Sequence, residues 1–291
     1  RQANQNQVLS SQNYILADLN LPFCLFLQLK CRCSILPFTP KSMANPRFYC
    51  DPKISDKLAL GAQVKLPESA AIHATRALRL GVGNQVILFN GDGQDYISEL
   101  THVTKNEVIA KILKTKPVEN ESPIKILLAQ AISSGDRMDF TLQKAVEMGV
   151  TAIQPIASQR SVVKLSGERA KKRREHWQNI VNSACEQSGR AFVPQVANPM
   201  SLSDWLGTKP EAETKITLAP TAKITLKDLN QPAGTICLLV GAEGGLTDNE
   251  IELAASQGFQ PIKLGKRILR TETAPLAAIA TMQALWGDFC V

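Results

Sequence analysis

Thr235-Ile-Cys-Leu-Leu-Val240 runs straight into Gly241-Ala-Glu-Gly-Gly245, and further on comes Leu264-Gly-Lys-Arg-Ile-Leu-Arg-Thr-Glu-Thr-Ala274. A short apolar run bounded by glycine predicts a buried strand, and three glycines in five positions let a backbone turn sharply and approach another molecule closely. Thr247 and Glu250 have the spacing of a capping box, so a helix starts there, and Gly258 ends it before a second strand at 261–264. Between 274 and 286, Leu276, Ile279, Met282 or Gln283, and Trp286 recur at helical spacing, which buries one face of a closing helix. The unit is α/β, with two loops at strand ends shaped to hold a ligand.

The same alternation extends upstream. Residues 124–131 read as an apolar strand, Ser133-Ser-Gly-Asp-Arg137 as the turn opening a helix with Met138, Leu142 and Val146 on one face, and 152–156 as the next strand after Gly149. Strands and helices at this spacing predict βαβ units in a parallel sheet, whose ligands sit beyond the carboxyl ends of the strands. Residues 45 to about 115 differ. Strand-like runs at 85–89, 96–100 and 107–113, with Asn90-Gly-Asp-Gly93 as a hairpin turn between the first two, predict a small β barrel or meander. A helix over 69–80 interrupts it, with Ala70, His73, Ala77 and Leu80 on one side and Gly81 at its end. The polar stretch 114–123, carrying Pro117 and Pro123, is the expected linker. The expected division is an extension at 1–42, a β-rich domain at 43–116 and an α/β domain at 122–291.

Composition fits a globular enzyme without naming one: 44% hydrophobic and 20% charged residues in 291. The net charge of +7 favours a polyanionic partner, although residues 1–42 contribute three of those charges (four Lys or Arg against one Asp), so the rest is only mildly basic. That first segment holds Cys24, Cys31 and Cys33 around an apolar patch too short to span a bilayer. Translation starting at Met43 is the simplest reading, and a signal or transit peptide is the alternative. Cys50, Cys185, Cys237 and Cys290 lie far apart, as do His73, His102 and His176, so neither metal-ligand spacing nor a Cys-His nucleophile is expected. Reduced thiols and a cytoplasmic location follow. Neither Gly-x-Gly-x-x-Gly nor the Walker pattern occurs, which counts against a dinucleotide enzyme or a P-loop NTPase.

The two glycine motifs resemble the cofactor loops of the RsmE-type 16S rRNA (uridine-N3) methyltransferase family, of the knotted SPOUT class. Gly135-Asp-Arg-Met138, Gln143-Lys-Ala-Val-Glu-Met-Gly149, Pro155, Arg160-Ser161, Glu186-Gln-Ser-Gly-Arg190 and Pro194 follow in the family's order, and the resemblance spans roughly 45–288. The chain departs from the family at Ala242, where Pro is usual. The resemblance implies a knotted parallel-sheet methyltransferase domain preceded by a PUA-like domain, S-adenosylmethionine as cofactor, small-subunit rRNA as substrate and a homodimer built on the last helix. The knot comes from the resemblance alone, since threaded chains are rare among folds.

For the cofactor, the resemblance points to Leu218, Ala219, Val240, Gly241, Gly245, Leu264, Gly265, Ile268, Leu269 and Thr273. The apolar members read equally as core residues. For RNA it points to Arg47, Arg76, Arg79, Arg160, Gln187 and Arg190, with His73 either an RNA contact or a satisfied core histidine. Arg76 and Arg79 also read as a solvated basic edge, Gln187 and Arg190 as a plain helix end, and the basic run Arg169, Lys171, Lys172, Arg173 and Arg174 as either a phosphate-contacting face or a solvated one. Methylating N3 of uridine requires loss of its proton, so a positive group helps. Arg270 is the expected stabiliser of the anionic base, and Glu272 reads either as a base or as a first-turn acid of the closing helix. The alternatives are an RNA-binding module without turnover, and a methyltransferase acting on another RNA such as tRNA.

Overall fold

The computed structural model describes residues 45–52, 58–105, 107–161 and 167–290, and the expected extension at 1–42 lies outside the described residues. The first sheet has five strands in the order β1 (Arg47–Tyr49), β3 (Gln85–Phe89), β4 (Gln94–Val103), β5 (Val108–Pro117) and β2 (Gln63–Lys65). β1 lies parallel to β3, and the other neighbours are antiparallel, with the Asn90–Gly93 turn joining β3 to β4 as its composition predicts. Alternating residues of these strands, among them Phe48, Val64, Val86, Leu88, Leu100, Val108, Ala110 and Ile112, close over one apolar core.

Two expectations for this region need correction. The helix at 69–80 is α1 (Glu68–Ile72) followed by a π-helical turn, His73–Ala77. The buried face is Ala70, Ala71 and Ala74, one position round from the expected stripe, so His73 is exposed, packed against Phe48 with ring centroids 5.9 Å apart. It is not a core histidine. The expected linker is also partly strand: β5 continues to Pro117 because its outer half still pairs with β4 from Gln94 to Ile97.

The second sheet is parallel at every pairing, in the order β12 (Gln260–Ile262), β10 (Thr214–Leu218), β11 (Thr235–Val240), β6 (Lys125–Ala131), β7 (Ala152–Ala157) and β8 (Gln195–Val196), with β9 (Met200–Ser201) also on β7. β11 shows why its sequence is a near-continuous apolar run. Ile236, Leu238 and Val240 face a core shared with α2 (Asp136–Glu147), α3 (Gly167–Ser188) and α6 (Thr273–Trp286), while Cys237 and Leu239 face α4 (Leu202–Gly207) and α5 (Asp248–Ser256). A strand covered on both faces has no polar side to alternate with. Thr247 and Glu250 form the reciprocal capping box that starts α5.

The chain leaves β12 at the sheet edge and runs against the connection between β10 and β11. Lys263 N–H donates to Ile224 O of that connection at 2.9 Å. Leu226, also of the connection, shares a core with Ala278, Ile279 and Met282 of α6 and with Val240 beneath them. α6 thus packs against the connection, β11 and α2 together, the arrangement a threaded last helix requires. Gln283, 1% exposed, fixes it there by donating to Met148 O at 2.8 Å and accepting from Ser122 Oγ at 2.7 Å. Leu276 and Trp286, expected on the buried face, are only partly covered, and Pro275 and Ala278 take the inner positions.

Candidate active site

The carboxyl ends of β10, β11 and β12 open on a cavity of about 290 Å³. Leu218 and Ala219, Val240, Gly241 and Gly245, and Leu264, Gly265, Ile268 and Leu269 all line it. Thr273 does not. It is exposed in the first turn of α6, and Thr271 and Ala274 face the cavity in its place. Most of the lining is apolar side chain or glycine backbone, the surface a flat ring with polar edges requires.

The walls are held by main-chain constraints. A Cβ on Gly241 would lie 2.6 Å from Gly245 C and 2.7 Å from Leu246 N, so the loop closes only with glycine there. Gly265 has φ +75°, a left-handed conformation that L side chains rarely adopt. The carbonyl of Gly241 accepts from the buried Thr271 hydroxyl at 3.0 Å and from Gln130 Nε2 at 3.4 Å, tying the end of β11 to the segment before α6 and to the end of β6. Gly245 N–H donates to Ala242 O at 2.9 Å with Ala242 buried, so the tight turn forms without the family's usual proline.

Glu243 anchors the same loop from outside. Its Oε1 accepts from the Ser134 amide at 2.8 Å, the Ser134 hydroxyl at 2.7 Å and Arg137 Nη1 at 3.1 Å. Burial pushes its carboxyl up, but the Ser134 amide and hydroxyl, its own amide and Arg137 outweigh that and bring its pKa down to about 2. Arg160 holds the loop's other side, Nη1 donating to Gly244 O at 2.7 Å and Leu246 O at 3.3 Å. Sequence reasoning passed over Glu243, Ser134 and Gln130. Glu243 lay inside the motif that drew attention for its glycines.

Arg270 stands between Leu269 and Thr271, both on the cavity wall, and its exposed guanidinium has no partner among the described residues. Glu272 is half-buried beside it in sequence, with Oε2 buried and lacking a hydrogen-bond donor; its nearest cation is Arg137 Nε at 3.9 Å. It makes no capping bond to α6, so the first-turn hydrogen bond expected of it is absent. Nine-tenths of Arg190 is inside. Its Nε and Nη2 donate to Glu121 at 2.9 and 2.5 Å, and Nη1 to Val146 O and Val150 O at 2.9 and 2.8 Å. This corrects the expectation of an RNA contact: the guanidinium is a structural post. Arg47 is likewise engaged, bound to Asp95 at 2.6 Å and to Arg190 O at 3.2 Å, with its guanidinium 4.8 Å from the Phe89 ring centroid. Arg76, Arg79 and Gln187 are exposed, as are Arg169, Lys171 and Lys172 on the first half of α3. Among the described residues no group of His, Cys, Asp or Glu is placed to hold a metal ion.

A parallel sheet with a threaded last helix, a ligand cavity walled by two glycine loops at its strand ends, and a PUA-like sheet in front define a methyltransferase of the SPOUT class. A family model described as an RNA methyltransferase domain matches residues 120–283, and one described as an RNA methyltransferase PUA domain matches 66–113. Ribosomal RNA small subunit methyltransferase E of Buchnera aphidicola subsp. Schizaphis graminum is 37% identical over 243 residues, 84% of this chain and 97% of its own. The protein of that name from Neisseria gonorrhoeae, solved bound to S-adenosyl methionine, superposes with a TM-score of 0.77 at 47% identity, covering 84% of this chain and 99% of its own. A methyltransferase from Legionella pneumophila with bound SAM gives 0.80 at 36% identity, with the same coverage. The chain belongs to the small-subunit ribosomal RNA methyltransferase E family.

Proposed function

We propose that the protein transfers a methyl group from S-adenosylmethionine to N3 of a uridine in small-subunit (16S) ribosomal RNA. The observation that carries this is the cavity at three parallel strand ends with an unpartnered guanidinium, Arg270, flanked by two of its lining residues. Its donor set fits the cofactor: Leu218, Leu264, Ile268 and Leu269 offer apolar faces to an adenine ring, and the glycines leave main chain to meet its edge. S-adenosylmethionine supplies, when bound, an electrophilic methyl carbon on a sulfonium. The chain's task is to present the uridine in line with it and to favour loss of the N3 proton. Arg270 holds the negative charge that develops on the base, and Glu272, whose Oε2 is buried 3.9 Å from Arg137 Nε and outside the cavity lining, has to turn toward the cavity to take the proton. Arg76, Arg79 and Gln187 are exposed groups for the surrounding RNA, and Arg160 is exposed too, although its Nη1 is spent on the glycine loop.

The same reading places the protein in the cytoplasm with its substrate, as a homodimer. Phe140 on α2, Leu285 on α6 and Phe289 just beyond it are 46%, 40% and 51% exposed, apolar side chains that a second copy would cover. Sedimentation of the full chain should give twice the monomer mass.

The deciding experiment incubates the full chain with labelled S-adenosylmethionine and unmodified small ribosomal subunits, followed by nucleoside analysis. Label in N3-methyluridine is the expected result. Cofactor binding with no label in any rRNA nucleoside would overturn the target and turn attention to tRNA, and absence of cofactor binding would favour an RNA-binding module without turnover.

A further inference from the structure

The N-terminal sheet meets α3 over a second cavity, of about 260 Å³, bounded by Tyr49 and His73 on one side and by Asn179, Asn182, Ser183 and Glu186 on the other. It differs in kind from the first. Polar side chains make most of its wall, and two of them are carboxamides, the groups that read the edges of bases. Residues 179, 182, 183 and 186 fall at i, i+3, i+4 and i+7, one stripe along α3. The stripe continues backwards through Glu175 to the exposed Lys172 and Arg169, so a ligand lying along this face meets cations over one half of the helix and amides over the other.

Glu186 is held in place by the Tyr49 amide, which donates to its Oε1 at 2.9 Å, and Oε2 has no protein donor among the described residues. Burial pushes the carboxyl up, and the Tyr49 hydrogen bond only partly offsets it, as expected of a carboxylate short of donors. Tyr49 and His73, each also packed against a phenylalanine, bring aromatic side chains to the same lining.

We propose that this cavity receives an unpaired base of the RNA substrate, one with N–H donors to offer Glu186, guanine above all, while Lys172 and Arg169 carry neighbouring phosphates. The inference rests on the reading that the protein acts on RNA. Guanine N1–H and N2–H present two parallel donors to a carboxylate, whereas the N3–H of uracil lies between two carbonyl oxygens that a carboxylate repels. The cavity is therefore not a second seat for the target uridine. It fixes the register of the RNA by a base other than the one modified, and single-stranded RNA is commonly recognised by bases splayed out against rings and amides.

The test is steady-state methylation of unmodified small subunits by the full chain carrying Ser183→Trp, which fills the cavity, Asn179→Ala, or Glu186→Gln, which keeps the Tyr49 bond and removes the charge. The expected result is a KM for subunits raised about tenfold for each, with kcat and S-adenosylmethionine affinity unchanged. Asn179 is exposed, so its variant keeps the test open should the bulky tryptophan disturb folding. If the unchanged chain methylates subunits and Asn179→Ala and Glu186→Gln match its KM within twofold, the cavity reads no base and the functional reading stands. If the unchanged chain transfers no methyl group to subunits, the functional reading fails and takes this inference with it.

Discussion

Gly241 and Arg270 carry opposite kinds of importance. Gly241 admits no side chain because the atoms that a Cβ would strike belong to the backbone of its own loop, at 2.6 and 2.7 Å, and backbone cannot rotate aside. Gly241→Val should therefore distort the cavity itself. The expected outcome is loss of S-adenosylmethionine binding by titration calorimetry, together with a stability loss of about 1–3 kcal/mol from overpacking; unchanged affinity would remove Gly241 from the site. Arg270 is the reverse case, exposed and with no hydrogen-bond or ion-pair partner for its guanidinium among the described residues. Arg270→Ala should leave stability within about 0.5 kcal/mol and cofactor affinity unchanged, while lowering kcat roughly 100-fold, the scale found when one preorganised charge-stabilising group is removed. A variant that loses activity by unfolding would show it in its melting curve.

Among the elements, the glycine loop after β11 depends on Glu243 for its position. The folded pKa of this carboxyl, about 2, lies below the ordinary glutamate value, so its contribution to stability is complete above about pH 5 and is lost as pH falls toward 2. The melting temperature of the unchanged chain should exceed that of Glu243→Gln near neutral pH, and the gap should close on acidification across that window. A constant gap would mean that the carboxylate is not what holds the loop. Elements of this kind also mark how far the sequence could be read. β11, α5 and its capping box, α2 and the hairpin at Asn90–Gly93 were legible because each is set by local chemistry: an apolar run, a Thr-x-x-Glu pair, a helical stripe, a Gly-rich turn. The π-helical turn at His73–Ala77 was not, because one extra residue in a turn leaves no compositional mark, and His73 was misplaced because Ala70, Ala71, Ala74 and Ala77 offer two faces at helical spacing. Arg190 was misread for a related reason. A basic residue after a helix-ending glycine suggests an exposed contact, and only the fold brings Glu121 and two carbonyls around it.

At the scale of the whole molecule, Arg190 is where several parts meet. Its side chain ties Glu121, ahead of β6, to the end of α2, and its carbonyl takes Arg47 of the N-terminal sheet. Arg190→Met removes one partner of a mostly buried ion pair and strands two carbonyls. The expected cost is about 3 kcal/mol, read from chemical unfolding; a change below about 1 kcal/mol would show the cluster to be dispensable. The threading of α6 beneath the β10–β11 connection was carried only by resemblance, since it depends on the order in which segments pass one another and no periodicity encodes that.

The cavity wall is bare main chain at Gly241, Gly244, Gly245 and Gly265. An inhibitor seated against those four positions would face atoms common to every amino acid, and the one residue free to change at Gly241 would collide with its own loop before it reached the drug. Resistance by point mutation would then fall to the side chains that share the lining, among them Leu264, Leu269, Arg267 and the outward-standing Ile268, so a compound that leans on main chain and avoids these leaves the target fewer single-step escapes.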